Sequence, residues 1–378
     1  MYILSLYFCQ KLEFLIIQYI LAFIFFSIII LKILFSKSFK INKLFLFLTF
    51  FFIFAIISSI QAIDIYIALE DLMKFFVVYC VSFAFINYIN YRNHYHIIRS
   101  FIYSGFLASL FLIFNTIFLN NNLESVLGNR NIISILITIS LTLTLFYYFY
   151  INRKISYIFL SLPMLWTILF LGSKKGIFIF IGSIIIFLFL ETKKTIKSKL
   201  KFITYSSLIL TIFFILIFKI PTFYNTIGHR VEGLIFTFID QESVDLSTKY
   251  RLTFIKLGIS YFKSAPFIGF GLDNYKILLN QSLGFETYSH SNIIELLVDT
   301  GIFGFISYYS MFFYILLKNK KNSFQDIKLN KIKNNFLSLF ISFTFIGGIA
   351  LIHYKFVSYY IIMFYLSFLF NLNFSKNI

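Results

Sequence analysis

The chain has 378 residues, of which 60% are hydrophobic and only 13% are charged, and its formal net charge is +18 at pH 7. A soluble fold of this length cannot bury so much apolar surface, whereas a lipid bilayer can accommodate it. The apolar residues form long uncharged runs rather than the short alternating segments of a β-barrel, so the composition indicates an all-α polytopic membrane protein.

Eleven segments are apolar for close to the 20 residues that a spanning helix needs. They are Phe14–Leu31, Leu44–Ala62, Leu72–Ile89, Ile97–Leu119, Ile132–Tyr150, Ile155–Leu171, Gly176–Leu190, Phe202–Ile220, Asp299–Leu317, Phe336–Leu351 and Phe356–Leu372. A further helix within Met1–Gln10 brings the predicted number to twelve and moves the N-terminus from the outside to the inside.

The connecting segments alternate in charge, which predicts their side of the membrane because lysine and arginine resist translocation. Asp64, Glu70 and Asp71 make the second connection acidic and therefore external. The cytoplasmic connections are marked by Lys32–Lys43, Arg92 with Arg99, Arg153 with Lys154, Lys193–Lys201 and Lys318–Lys333. We treat residues 1–378 as a single transmembrane domain with its C-terminus inside, and residues 221–291 as its large periplasmic loop. The net positive charge is thus explained by topology, and we expect no nucleic-acid partner.

Several cations lie on the external side, against the usual bias. Lys174 and Lys175 fall in a short outward turn, Arg130 in another outward segment, and Arg230 and Arg251 in the large loop. Cations gathered at the outer membrane face suit an anionic ligand such as a lipid diphosphate. Taken one at a time, they are equally explained as residues that snorkel or bind lipid headgroups.

Within the loop, Ser247–Ser264 has the pattern of an amphipathic helix, with Ser247 as its N-cap and Pro266 just beyond its end. Phe254 falls on its apolar face with Tyr250, Leu257 and Tyr261. Lys249, Lys256 and Lys263 recur every seven residues on another face, so the helix is expected to lie on the bilayer surface. The direction of Arg251 stays open.

His290 follows at the point where the chain re-enters the membrane. A neutral imidazole can accept a proton from a hydroxyl group, which makes His290 a candidate general base. Glu295 and Asp299 are four residues apart and can share the inner face of the next helix. Gly301 and Gly304 are small enough to let elements approach closely. No two histidines stand at metal-ligand spacing beside a carboxylate, so no metal site is predicted.

In this order, the residues resemble the superfamily of O-antigen ligases and O-antigen polymerases over about residues 128–304. The most specific part is a spaced motif: His290-Ser291 is followed after a gap of nine residues by Gly301 and after two more residues by Gly304. Upstream, Arg251 followed by Pro266, Gly269 and Gly271 resembles the family's arginine, proline and Gly-x-Gly run, and Asn131 is similar to an asparagine at the start of a middle span. Ser173-Lys174 stands where the family has Ser-Arg, and lysine cannot bind a phosphate bidentately, so weaker or differently oriented diphosphate binding is expected.

The resemblance implies a GT-C-like, metal-independent glycosyltransferase without a cofactor, in the bacterial inner membrane with its active site facing the periplasm. The implied donor is an undecaprenyl-diphosphate-linked glycan, and membrane lipids surround the protein. In a ligase, which is the favoured interpretation, the acceptor is the lipid A-core. The alternative is a polymerase, in which the acceptor is a lipid-linked glycan. A lipid-linked oligosaccharide flippase is a less favoured alternative. His290 and Arg251 are the implied catalytic residues. Those implied to bind the diphosphate are Lys174, Lys175, Arg130, Arg230 and Arg251.

Overall fold

The computed structural model describes residues 1–8, 12–37, 39–118, 129–192, 195–219, 224, 246–321, 326–350 and 352–372, and helices are the regular elements found there. We number them α1 to α14 in chain order. They are α1 Tyr2–Phe8, α2 Leu12–Ser36, α3 Lys43–Ile60, α4 Ile65–Tyr88, α5 His94–Ile117, α6 Arg130–Phe146 with a π-helical turn Tyr147–Ile151, α7 Ser156–Leu171, α8 Lys174–Glu191, α9 Ile196–Lys219, α10 Leu246–Ser264, α11 Tyr275–Leu283, α12 Asn292–Lys321, α13 Ile327–Ala350 and α14 Val357–Leu372.

Each of the eleven predicted spans coincides with one of these helices. Among the described residues, α2, α3, α5, α6 with its π-helical turn, and α12 are long and apolar enough to cross a membrane, and α7 and α14 are shorter apolar helices. Long apolar helices satisfy every backbone hydrogen bond internally, as the hydrocarbon interior requires. The prediction of an all-α polytopic membrane protein is confirmed.

A helix also forms within Met1–Gln10, but α1 has only seven residues and is too short to cross the bilayer. It packs along α5, with the rings of Phe8 and Phe111 5.5 Å apart. The buried Tyr7 hydroxyl donates to the Leu136 carbonyl at 3.1 Å and bonds with Ser140 Oγ at 2.5 Å. The described part of this helix is therefore a short element packed against the bundle and not a twelfth span.

One part of the predicted topology is wrong in detail. The second connection was predicted to include Glu70 and Asp71, but α4 already begins at Ile65, with Asp64 as its N-cap. The Asp64 carboxylate accepts from the Tyr66 and Ile67 amides at 3.0 and 3.1 Å. Glu70 and Asp71 thus belong to the helix, and Asp71 is buried because its charge is balanced by a distant lysine, Lys355.

The described part of the large loop from residue 246 onward packs onto the bundle through a small apolar core of its own. Phe254 of α10, Tyr275 and Leu279 of α11, and Ile294 and Val298 of α12 are buried together. A Cβ atom at Gly258 would lie 2.3 Å from the Ile294 side chain, so α10 touches α12 closely. The predicted amphipathic helix is confirmed, although it begins at Leu246, which puts Ser247 inside it rather than at its cap.

Candidate active site

The two glycine motifs of the sequence contact each other. The Phe270 and Gly271 amides donate to the Val298 and Asp299 carbonyls, both at 2.9 Å, and the Ile302 amide donates to the Pro266 carbonyl at 2.8 Å. We call residues 266–271 and 298–302 the glycine clamp. Gly301 breaks α12 with φ 63° and ψ −169°. The close approach predicted for Gly301 therefore occurs, and its partner is the backbone of this turn.

The two acidic residues of α12 hold backbone amides of the loop. The Asp299 carboxylate accepts from the Asp273 and Tyr275 amides at 2.9 and 3.0 Å, which fixes the start of α11. Glu295 accepts from the Ser289 amide at 2.8 Å. Both carboxylates are buried on the inner face, as the four-residue spacing predicted. Their contacts assign them to positioning the loop, because buried carboxylates that receive amide hydrogen bonds stabilise the chain around them.

The segment around His290 is fixed from both sides. The Ser291 hydroxyl donates to the Gly348 carbonyl at 2.7 Å. Asn292 Oδ1 accepts from the His353 and Tyr354 amides at 2.9 and 3.0 Å, which ties the start of α12 to the connection between α13 and α14. His290 lies between these two residues and Ser289, whose amide is bound by Glu295, and it has a φ of 59°. Positive φ is uncommon for a residue with a side chain, and such residues persist where surrounding contacts determine them.

The imidazole of His290 is enclosed by aromatic rings and faces two cations. Its ring centroid is 4.0 Å from that of Tyr288, and it is stacked 6.2 Å from Phe254. Burial, followed by the charges of Arg251 and Lys175, lowers the pKa of His290 to about 4. The imidazole is therefore neutral at pH 7, and its buried Nδ1 has no hydrogen-bond partner among the described residues.

The short turn before α8 brings Lys175 to this place. Gly172 adopts φ 58°, and the Ser173 hydroxyl donates to Asn131 Oδ1 at 2.9 Å. A Cβ atom at Gly176 would lie 2.0 Å from the Ser134 hydroxyl, so α8 starts directly against α6. Lys175 is consequently buried and lines a cavity, while Lys174 is half-buried.

The other predicted cations have different positions. Arg251 of α10 is half-buried and close enough to His290 and Tyr288 for its charge to lower the pKa of both, so it lies on the side of the helix near His290. Arg130 begins α6 and is exposed, and its neighbours Asn129 and Asn131 line the cavity instead. Arg230 lies outside the described residues. The seven-residue stripe of the loop helix is exposed: Lys249, Lys256 and Lys263.

The cavity beside Lys175 and Tyr288 has a volume of about 400 Å³. Asp273 and Lys355 also line this cavity, and the sequence analysis missed both. Lys355 Nζ lies 2.9 Å from Asp71 Oδ1 and 2.9 Å from Asp273 Oδ1. Burial opposes the charge of Lys355, but the two carboxylates prevail and raise its pKa. A lysine in a short connection that is predicted to be external was the available signal, and the same kind of signal singled out Lys174 and Lys175.

Comparison with known proteins supports the sequence resemblance. Residues 159–309 match a family model described as O-antigen ligase. This segment runs from within α7 into α12, so it contains Lys175, Arg251, His290 and the glycine clamp, and it covers less than half of the chain. The predicted resemblance to the superfamily of O-antigen ligases and polymerases is confirmed. A search of curated proteins found no match.

Proposed function

We propose that the protein is a membrane glycosyltransferase that moves a glycan from an undecaprenyl-diphosphate carrier to a hydroxyl acceptor at the periplasmic face of the bacterial inner membrane, as an O-antigen ligase does. The observation that carries the proposal is a neutral histidine, His290, held beside Arg251 and Lys175 next to a cavity. A base next to two cations is what transfer from a diphosphate donor requires.

In the proposed reaction, a hydroxyl oxygen of the acceptor attacks the anomeric carbon of the donor sugar. The bond from that carbon to the diphosphate oxygen breaks, and the diphosphate leaves with the electron pair. The hydroxyl proton passes to His290 and then to solvent. Arg251 and Lys175 stabilise the charge that develops on the leaving diphosphate. Attack opposite the leaving group inverts the configuration at the anomeric carbon.

The charges around His290 couple its basicity to donor binding. Burial, followed by the two cations, holds its pKa at about 4, which makes it a weak base. A bound diphosphate offsets the two cations and raises the pKa of His290, while burial continues to lower it. His290 is thus a stronger base when the donor is present.

The identity of the acceptor separates the two forms of the proposal. In the ligase form, the glycan passes to the lipid A-core; in the polymerase form, it passes to a second lipid-linked repeat unit. Because the cations beside the cavity supply the positive charge for the diphosphate, we expect transfer without an added divalent cation. A flippase would move the donor across the bilayer without forming a glycosidic bond.

The test uses purified protein in liposomes with an undecaprenyl-diphosphate glycan and one of the two acceptors. Product on the lipid A-core supports the ligase form, and lengthened lipid-linked glycan supports the polymerase form. We expect His290→Ala to abolish transfer while the protein remains folded and inserted. The control is His96→Ala, since His96 is exposed on α5. Full transfer by His290→Ala would remove His290 from the mechanism, and lipid movement without a new bond would overturn the transferase proposal.

A further inference from the structure

Two different charge environments line the same cavity. One lining residue is Lys175, which forms no ion pair with any residue that the structure describes. Asp273 and Lys355 also line the cavity. They belong to a cluster of two carboxylates and two ammonium groups, formed by Asp71, Asp273, Lys355 and Lys276, whose formal charges cancel.

The geometry of the cluster fixes its polar atoms in place. Lys355 Nζ contacts one oxygen of each carboxylate at 2.9 Å, and Lys276 Nζ contacts Asp273 Oδ2 at 2.5 Å. The Tyr354 hydroxyl donates to Asp71 Oδ2 at 3.2 Å. These residues come from α4, from the start of α11 with the segment just before it, and from the connection between α13 and α14, so three parts of the chain hold the cluster together.

Hydrogen-bonding capacity remains on the side of the cavity. An ammonium group has three donors, and Lys355 uses two of them on carboxylates; each carboxylate oxygen of Asp273 can accept a second hydrogen bond. The Lys355 side chain is 31% exposed and that of Asp273 19% exposed, so both can be reached from the cavity. Fixed donors and acceptors without net charge are suited to the hydroxyl groups of a neutral sugar. Because the cluster has no net charge, it gives a diphosphate no net electrostatic attraction, whereas Lys175 does.

We infer that Asp273 and Lys355 bind hydroxyl groups of the sugar that is linked to the donor diphosphate, while Lys175 and Arg251 bind the diphosphate. This inference rests on the proposed function and adds the orientation of the donor in the cavity: the diphosphate at Lys175 and the sugar at the neutral cluster. The cluster also fastens the loop to the bundle, so the test must separate sugar binding from that structural role.

The test is equilibrium binding to the full-length protein in lipid nanodiscs. The ligands are undecaprenyl diphosphate itself and undecaprenyl diphosphate bearing N-acetylglucosamine, N-acetylgalactosamine or galactose. We expect the wild-type protein to bind at least one sugar-bearing lipid roughly tenfold more tightly than the bare lipid, the effect of one or two charge-assisted hydrogen bonds. Asp273→Asn removes that advantage and leaves the affinity for bare undecaprenyl diphosphate unchanged. Lys175→Gln weakens the binding of every lipid in the set.

The matched control is Lys276→Gln, which removes another partner of Asp273 without changing a residue that lines the cavity. It is expected to keep the preference for the sugar. If Asp273→Asn does not fold, the double variant Asp273→Asn with Lys276→Gln leaves Asp71 and Lys355 as a neutral pair and makes the same measurement. Equal weakening of all lipids, or equal wild-type affinity for bare and sugar-bearing lipids, overturns the inference. Failure of the wild-type protein to bind any of them instead counts against the proposed function.

Discussion

Gly301 is the position in the glycine clamp where one added methyl group is expected to do the most damage. Its backbone, at φ 63° and ψ −169°, lies in a region that is essentially restricted to glycine, and a side chain there costs about 1–3 kcal/mol. A Cβ atom would also lie 2.3 Å from the Phe267 carbonyl oxygen and 2.6 Å from the Ile268 amide nitrogen. These are backbone atoms that cannot rotate away.

The turn must therefore move in Gly301→Ala, which breaks the hydrogen bond from the Ile302 amide to the Pro266 carbonyl and weakens its neighbours. A lost bond costs about 1 kcal/mol, so together with the backbone strain the change is expected to destabilise the clamp by about 2–4 kcal/mol. Transfer activity should fall with it, because the clamp joins the loop that carries Arg251 to the helix that follows His290.

The assay is the thermal midpoint of monodisperse protein in detergent, measured beside transfer activity. Gly284→Ala is the matched control, since Gly284 also has a positive φ, 77°, but a Cβ atom there meets nothing within 4 Å. Its expected cost is only about 1 kcal/mol. Gly301→Ala should thus lower the midpoint by several degrees more than Gly284→Ala. Equal midpoints for the two variants would refute the argument that close backbone contact requires glycine at position 301.

Two further predictions concern the charges beside His290. Lys175→Gln is expected to raise the KM for the donor more than Lys174→Gln, because Lys175 lines the cavity; a donor titration showing the reverse order would transfer the role to Lys174. The protonated form of His290 is inactive as a base, so activity falls at low pH. The acid limb of kcat/KM reports the free enzyme and should lie near the pKa of His290, about 4. The acid limb of kcat should lie at higher pH, because the bound diphosphate offsets the cations. Removing one cation with Arg251→Gln should raise the acid limb of kcat/KM, and an unmoved limb would contradict the coupling.

The helical architecture could be predicted because spanning helices are specified locally. A continuous apolar run meets the bilayer requirement wherever it occurs, and the three- and four-residue spacing of α10 is a property of the helix alone. The start of α4 was misplaced for a related reason. Glu70 and Asp71 look like connection residues when hydropathy is the only criterion, yet Asp71 is buried through an ion pair with a residue far along the chain, Lys355.

The association of His290 with external cations could also be predicted, since topology alone puts them at one membrane face. Topology does not decide which cation reaches the cavity. Lys174 and Lys175 are adjacent, and the contact of Gly176 with Ser134 determines which of the two is buried. The cluster of Lys355 with Asp71 and Asp273 was missed because no spacing along the chain relates its members, which meet only through the packing of three separate segments.

These contacts explain why nine residues separate Ser291 from Gly301. The nine residues form the first part of α12, about 14 Å long, and each end is fixed separately. Asn292 and Glu295 hold the end next to His290, while the glycine clamp holds the end at Gly301. Each residue of a helix turns the chain by about 100°, so a change of one residue in this gap would direct His290 away from Arg251 or Asp299 away from the start of α11. The spacing therefore has to be constant for the base and the loop cations to meet, whichever acceptor the enzyme uses.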